Sequence, residues 1–139
     1  MLAFIMMKMK ITVHENKPPV ELQDVVSVNE VISSASEEAR AKGLLNIISV
    51  EADNGNYLTL VVGGDETVLG FNYGHQDPPY YASKGKDESD EPMMTAYVAF
   101  RHHTEFPRKW VLPMQEGMLA VQEFCETGEL PRCIEWTEV

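Results

Sequence analysis

Residues 46–81 constrain the fold of this chain more than any other stretch, reading NIISVEADNGNYLTLVVGGDETVLGFNYGHQDPPYY. Val50, Leu58, Leu60, Val62, Leu69 and Phe71 supply apolar faces. Between them lie two turns, Asp53-Asn54-Gly55-Asn56 and Gly63-Gly64-Asp65-Glu66, rich in residues that tolerate positive φ. This is the pattern of an antiparallel meander, with strands expected over 44–52, 57–62 and 67–73. Leu58, Leu60 and Val62 share one face, and Val61 adds apolar character to the other, so the middle strand is expected to be central. Gly70 inside a strand points to a bulge or a close backbone approach.

The rest of the chain reads as cover for one side of that meander. A first strand is expected over 8–14, and 15–23, with Pro18-Pro19, reads as a connection. A helix follows, with Ser27 and Glu30 at capping-box spacing. Its apolar stripe is Val28, Val31, Ile32, Ala35 and Ala39, and Gly43 suits the left-handed stop. Residues 74–92 form a long polar loop of the kind that is functional or disordered. A strand is expected over 94–100 and a polar turn region over 101–108. Pro113 suits the start of a second helix, whose stripe is Met114, Met118, Val121 and Cys125, widened by Leu119 and Phe124. Gly117 within it costs about 1 kcal/mol relative to Ala. Gly128 and Pro131 end it, and 132–139 closes the chain as a strand with Ile134 and Trp136 facing together. The expected class is α+β: a mostly antiparallel sheet of about six strands with two helices packed on it.

A length of 139 residues fits one domain with a real core. Residues 1–17 are either a first strand or an N-terminal extension. The apolar run in MLAFIMMKMK is short and its lysines follow it, unlike a signal peptide. The expectation is a cytoplasmic protein. Asp and Glu number 22 against 11 Lys and Arg, a formal net charge of −11. That excess disfavours nucleic acid and anionic membranes and favours a basic protein partner. Two cysteines are too few for a disulfide framework; one Cys125–Cys133 bridge is open to the spacing, but two reduced thiols are expected.

Catalytic patterns are weak. Gly63-Gly64 precedes Asp65-Glu66, whose charge repels phosphate, so it reads as a turn. The four histidines show no chelating spacing, and no metal or cofactor is expected. No Ser or Cys has an activating context, and carboxylate pairs mean little in so acidic a chain. A zinc-deaminase set is absent from the sequence. Binding is better supported. Tyr57, Tyr73, Tyr80, Tyr81 and Trp110 lie in or near acidic turns, and aromatics mixed with carboxylates suit an Arg/Lys-rich surface. The candidate partner-binding residues are Asp65, Glu66, Asp77, Tyr80, Tyr81, Asp87, Glu88, Asp90 and Glu91, with His102, His103, Glu105 and Trp110. Two other classes stay open. One is a small enzyme with a pocket around His75, His102, His103 and Glu105, and the other an oligomeric adaptor pairing through a sheet edge.

Three segments, GNYLTLVVGGDETVLGF, DPPYYAS and TEFPRKWVLPMQEGMLAVQEFCETGELPRCIEW, together resemble the first-described immunity-protein family of bacterial polymorphic toxin systems. The resemblance runs from Val50 to Trp136. It rests on a strand pair around a Gly-Asp turn, a Pro-Pro-Tyr-Tyr loop, a Phe-Pro segment before a helix, and a Gly-x-x-Pro turn before Glu-Trp. It implies an α+β, non-enzymatic protein that binds and blocks a toxin domain, often a nucleic-acid deaminase, in the producing cell. Matched positions are Asp65, Asp77, Tyr80, Tyr81, Phe106, Trp110, Glu135 and Trp136. The implied mode is occlusion of a basic substrate cleft, with carboxylates standing in for phosphates and aromatic rings for stacked bases.

Overall fold

The structure, a computed structural model, describes residues 7–14, 16–76, 78–98 and 100–139. Among these, nine strands form the main sheet and two more a small ribbon, with two α-helices packed on the main sheet. The α+β class is as expected, with more strands than the six anticipated.

The meander is present. Strand β3 (Asn46–Ala52) turns through Asn54-Gly55 into β4 (Tyr57–Val62), and Gly55 takes a φ of 87°. The third strand is broken at Val68 into β5 (Glu66–Thr67) and β6 (Leu69–Asn72). At the break the Thr67 hydroxyl accepts from the Val61 N–H at 3.1 Å and donates to the Val61 carbonyl at 2.8 Å. The Val61 N–H is thereby shared between this hydroxyl and the Val68 carbonyl, 3.3 Å away. Gly70 marks a close approach: a Cβ there would lie 2.7 Å from Thr59 Oγ1.

Several expectations need correction. Within 15–23, β2 (Val20–Leu22) pairs with β1 (Met9–Thr12), which in turn pairs with β3. The expected loop contains β7 (Tyr80–Ser83), paired with β6 on one side and β11 (Trp136–Glu138) on the other. The polar region after β8 (Met94–Val98) is β9 (His102–Phe106), its hairpin partner. A 3-10 turn (Arg108–Trp110) then leads to β10 (Leu112–Pro113), which pairs with β5. Both β7 and β9 are short and rich in polar or half-exposed side chains. Pairing with non-local strands, invisible to local pattern, makes them strands.

The main sheet runs β11-β7-β6-β4-β3-β1-β2 and forks at β3. Beside β4, the other edge of β3 is shared: β1 pairs antiparallel with residues 49–52, and β8 pairs parallel with Asn46 and Ile47. Asn46 at the fork is fully buried; its Oδ1 accepts from the Phe100 N–H at 3.4 Å, while its Nδ2 has no protein partner.

Helix α1 (Val25–Lys42) buries Val28, Ile32, Ala35 and Ala39, as its stripe implied. Its N-cap is Asp24, not Ser27. One Asp24 oxygen accepts from the Ser27 N–H and the other from the Ser27 hydroxyl, both at 2.8 Å, so Ser27 is the third helical residue. Gly43 closes the helix at φ 69°.

Helix α2 (Met114–Thr127) ends on left-handed Gly128. Val121, Phe124 and Cys125 face inward as expected and Met118 packs against the core, but the buried face is rotated enough to add Gly117 and Ala120 and to turn Leu119 outward. Close packing explains the rotation. A Cβ on Gly117 would sit 2.5 Å from Thr67 Cγ2, so the smallest residue marks the line where helix and ribbon touch.

Both helices cover one face of the sheet. There Phe71 meets the rings of Tyr73, Tyr81, Phe124 and Trp136, at 4.9 to 6.5 Å between centroids. On the opposite face, Val61, Val68, Met94, Ala96 and Val111 form a smaller apolar cluster, with Phe106 and Trp110 packed against it. No helix among the described residues is long and apolar enough to cross a membrane.

Candidate functional site

The structure divides the candidate binding residues among three places. The first is a cleft of about 660 Å³ at one end of the sheet. It is walled by Val111, Leu112, Pro113 and Ile134 and carries Glu66, Asp87, Glu116 and Glu135 against Lys84, Lys86 and Arg108. Its walls are placed by backbone bonds. Lys84 N–H donates to the Glu135 carbonyl at 2.9 Å, Gly85 N–H to the Lys109 carbonyl at 2.7 Å, and Met114 N–H to the Asp65 carbonyl at 2.8 Å. Gly85 is required here, because a Cβ would lie 2.2 Å from the Val111 carbonyl oxygen.

Within this cleft Glu66 and Arg108 form a charge-assisted hydrogen bond, which raises the Arg108 pKa further. The acidic run folds back over the same 3-10 turn. Asp90 accepts from the Arg108 N–H through its carbonyl at 2.8 Å and meets Lys109 Nζ through its carboxylate at 3.1 Å. The backbone N–H and hydroxyl of Ser89 hold the Asp87 carboxyl below the usual range. Glu88 and Glu91 are exposed, and Asp65 is fully exposed, 3.9 Å from Arg40. Trp110, next along, turns into the smaller apolar cluster, where its Nε1 has no protein partner.

The second place is β9. His103 lies 3.7 Å from Glu105 and edge-on to Tyr97, and His102 is exposed. His75 does not join them. It stands beside Tyr73, past the end of β6 that pairs with Tyr57, whereas β8 and β9 meet β3 at Asn46. The length of β3, roughly 20 Å, separates the two groups. The histidine–carboxylate pocket is therefore not assembled, and no group of three potential metal ligands occurs among the described residues.

The third place is β7, where neighbouring tyrosines part company. Tyr81 packs on Phe71 and Tyr73 on the helix side, and Tyr80 points to the other face, 40 % exposed. Asp77 lies outside the described residues. Both cysteines are free thiols. Burial, aided by Glu126, pushes Cys125 up to about 12, and partial burial with a Glu123 hydrogen bond raises exposed Cys133. Neither has the lowered pKa of a nucleophile.

Sequence reasoning missed Lys84, Lys86, Arg108 and Glu116, which the fold brings beside Glu66 from distant segments with no shared local motif. Tyr57, named among the aromatics near acidic turns, stayed outside the candidate set, although its outward position was readable from the alternation of β4. The cleft offers ion pairing beside an apolar wall. The family model described as "Immunity protein Imm1" matches residues 16–138. No curated protein matches the chain. With nearly its whole length matched by that model, the chain belongs to the Imm1 family of immunity proteins.

Proposed function

We propose that this protein works in the cytoplasm of a toxin-producing bacterium. There it binds the cognate toxin domain, a nucleic-acid deaminase, and occludes its basic substrate cleft stoichiometrically, with no cofactor and no catalysis of its own. The observation that carries this reading is family membership over 16–138 in a chain of net charge −11. A toxin acting on DNA or RNA needs a cationic cleft, and a polyanionic inhibitor is steered to it at long range.

The partner-facing set is Asp65, Glu66, Asp77, the run Asp87, Glu88, Asp90 and Glu91, Tyr80, Tyr81 and Trp110, with His102, His103 and Glu105 as a second edge. The geometry supports a division of labour within the set. Asp65, Glu88 and Glu91 present exposed charge. Glu66 and Asp90 are partly neutralised by Arg108 and Lys109 and hold the surface in shape. The Tyr81 and Trp110 rings serve packing first.

Co-purification with the toxin domain encoded beside this chain, followed by a deamination assay on single- and double-stranded substrates, tests the proposal. Association and loss of activity near a 1:1 ratio are expected. A pair that neither associates nor loses activity ends the immunity reading. Combined Asp65→Lys, Glu88→Lys and Glu91→Lys should slow association roughly 10-fold and flatten its salt dependence.

A further inference from the structure

The sheet has one face covered by helices and one that is only half covered. Register defines the uncovered half. Glu21 of β2, Lys10 of β1, Glu51 of β3, Tyr57 of β4, Asn72 of β6 and Tyr80 of β7 are successive cross-strand partners. Alternation places all six on the face away from the helices, since Met9, Val50, Leu58 and Phe71 beside them are buried on the other. Charges alternate along the first half of this row. Two tyrosines flank an asparagine in the second half, Tyr57 at 37 % and Tyr80 at 40 % exposure.

Spacing gives the tyrosine pair a use. Two strand intervals put their backbones about 10 Å apart. A flat group stacked on both rings needs about 7–8 Å between ring planes, twice a carbon contact distance. Asn72 lies on the floor between them with an amide that can accept a hydrogen bond, and Glu51 stands on the strand beside Tyr57. The next row is low, running Thr12, Ser49, Thr59 and Gly70. A recess of about 240 Å³, lined in part by Ile47, Thr59 and Val98, opens beside it. A partner's backbone can therefore come close to the sheet while one of its side chains enters between the rings.

We infer that this reverse face is a docking surface for the toxin domain, and that Tyr57, Asn72 and Tyr80 clamp an arginine side chain of the toxin. Arginine is the occupant because its guanidinium is planar and stacks on aromatic faces. It also carries the charge opposite to Glu51 and to the −11 of the whole chain, and its N–H groups suit an amide or carboxylate oxygen. The inference rests on the immunity reading and adds the surface and the chemistry of contact.

The experiment measures affinity for the neighbouring gene's toxin domain by calorimetry, with thermal melts as folding controls. Tyr57→Ala combined with Tyr80→Ala should weaken binding on the order of 30- to 100-fold with an unchanged melt. Tyr57→Phe with Tyr80→Phe, which keeps the rings and removes only the hydroxyls, should recover most of the affinity that the double-alanine variant loses. Thr59→Arg, which raises a cation from the low floor, should abolish binding. One toxin arginine should show a non-additive loss with Tyr57→Ala. Wild-type binding with both the double-alanine variant and Thr59→Arg within 3-fold of it overturns this face while leaving the immunity reading standing. Coupling to a lysine instead overturns the arginine clamp. A change in self-association with toxin affinity intact assigns the face to a second copy and overturns the proposal. Wild type that neither binds nor inhibits removes the immunity reading and the face together.

Discussion

The two faces of the central sheet are made from the same strands, yet they hold different information. On the helix side, Leu58, Leu60, Val62, Leu69 and Phe71 are fully buried in one cluster with the inward residues of α1, α2 and the neighbouring strands. On the reverse side the alternate residues of those strands are Tyr57, Thr59, Gly70 and Asn72, half-exposed or exposed, with Val61 alone sealed under the β8–β9 hairpin. Alternation lets each strand answer to two selections at once. One face builds the core, and the other leaves half-exposed side chains at the surface.

The sharpest way to break that contrast is to truncate an aromatic on each side. Phe71→Ala, which empties the centre of the ring cluster, should cost about 3–5 kcal/mol. By contrast, Tyr57→Ala on the same pair of strands should change stability by less than about 0.5 kcal/mol. Denaturant melts of the two variants decide it. Equal losses would mean the reverse face is part of the core and not a free surface.

A middle-sized effect tests how the covered side is fastened. Asn56 is 3 % exposed and joins three segments. Its Nδ2 donates to the Gly128 carbonyl at 2.8 Å, and its Oδ1 accepts from the Gly74 N–H at 2.9 Å. Asn56→Ala takes the acceptor from the Gly74 N–H and leaves the Gly128 carbonyl with Asn54 Nδ2 alone, at 3.0 Å, and should cost about 1–3 kcal/mol. Hydrogen exchange should show the loss first at the end of α2.

The smallest effect is electrostatic. Hydrogen bonds from Ser27 hold the Asp24 carboxyl below its ordinary 3.8. A depressed folded pKa contributes stability above the unfolded value, which is lost as pH falls through the folded one. Asp24→Asn keeps a good cap but does not titrate, so its stability should fall less steeply below about pH 4 than that of the native chain. Melts at pH 3 and pH 7 measure the difference, and parallel pH profiles would remove the cap from the acid response.

Legibility in the sequence followed the same division. The α1 stripe, Gly43, Gly128 and the Asn54-Gly55 hairpin could be read because each is a local device whose partners lie within one turn. The strand at Tyr80–Ser83 could not, since DPPYYAS carries turn residues and only pairing with β6 and β11 makes its end a strand. The α2 stripe was placed only in part, because Gly117 and Ala120 do not look apolar enough to mark a core, though the smallness of Gly117 brings the helix onto Thr67. At the cleft, Asp87 and Asp90 read as a solvated acidic run. Their cations, Arg108 and Lys109, lie some twenty residues further on and no local pattern links them.

The fork at β3 has a consequence for synthesis. Its hairpin partner β4 follows at once and β1 is already made, so most of this strand is paired early. The stretch at Asn46 and Ile47 must wait for Tyr97 and Val98, some fifty residues later. Until then the nascent chain carries a short open edge beside an apolar surface, the kind of template that recruits strands from other chains. Asn46, buried with a donor unused in the finished sheet, places a polar group on that waiting edge.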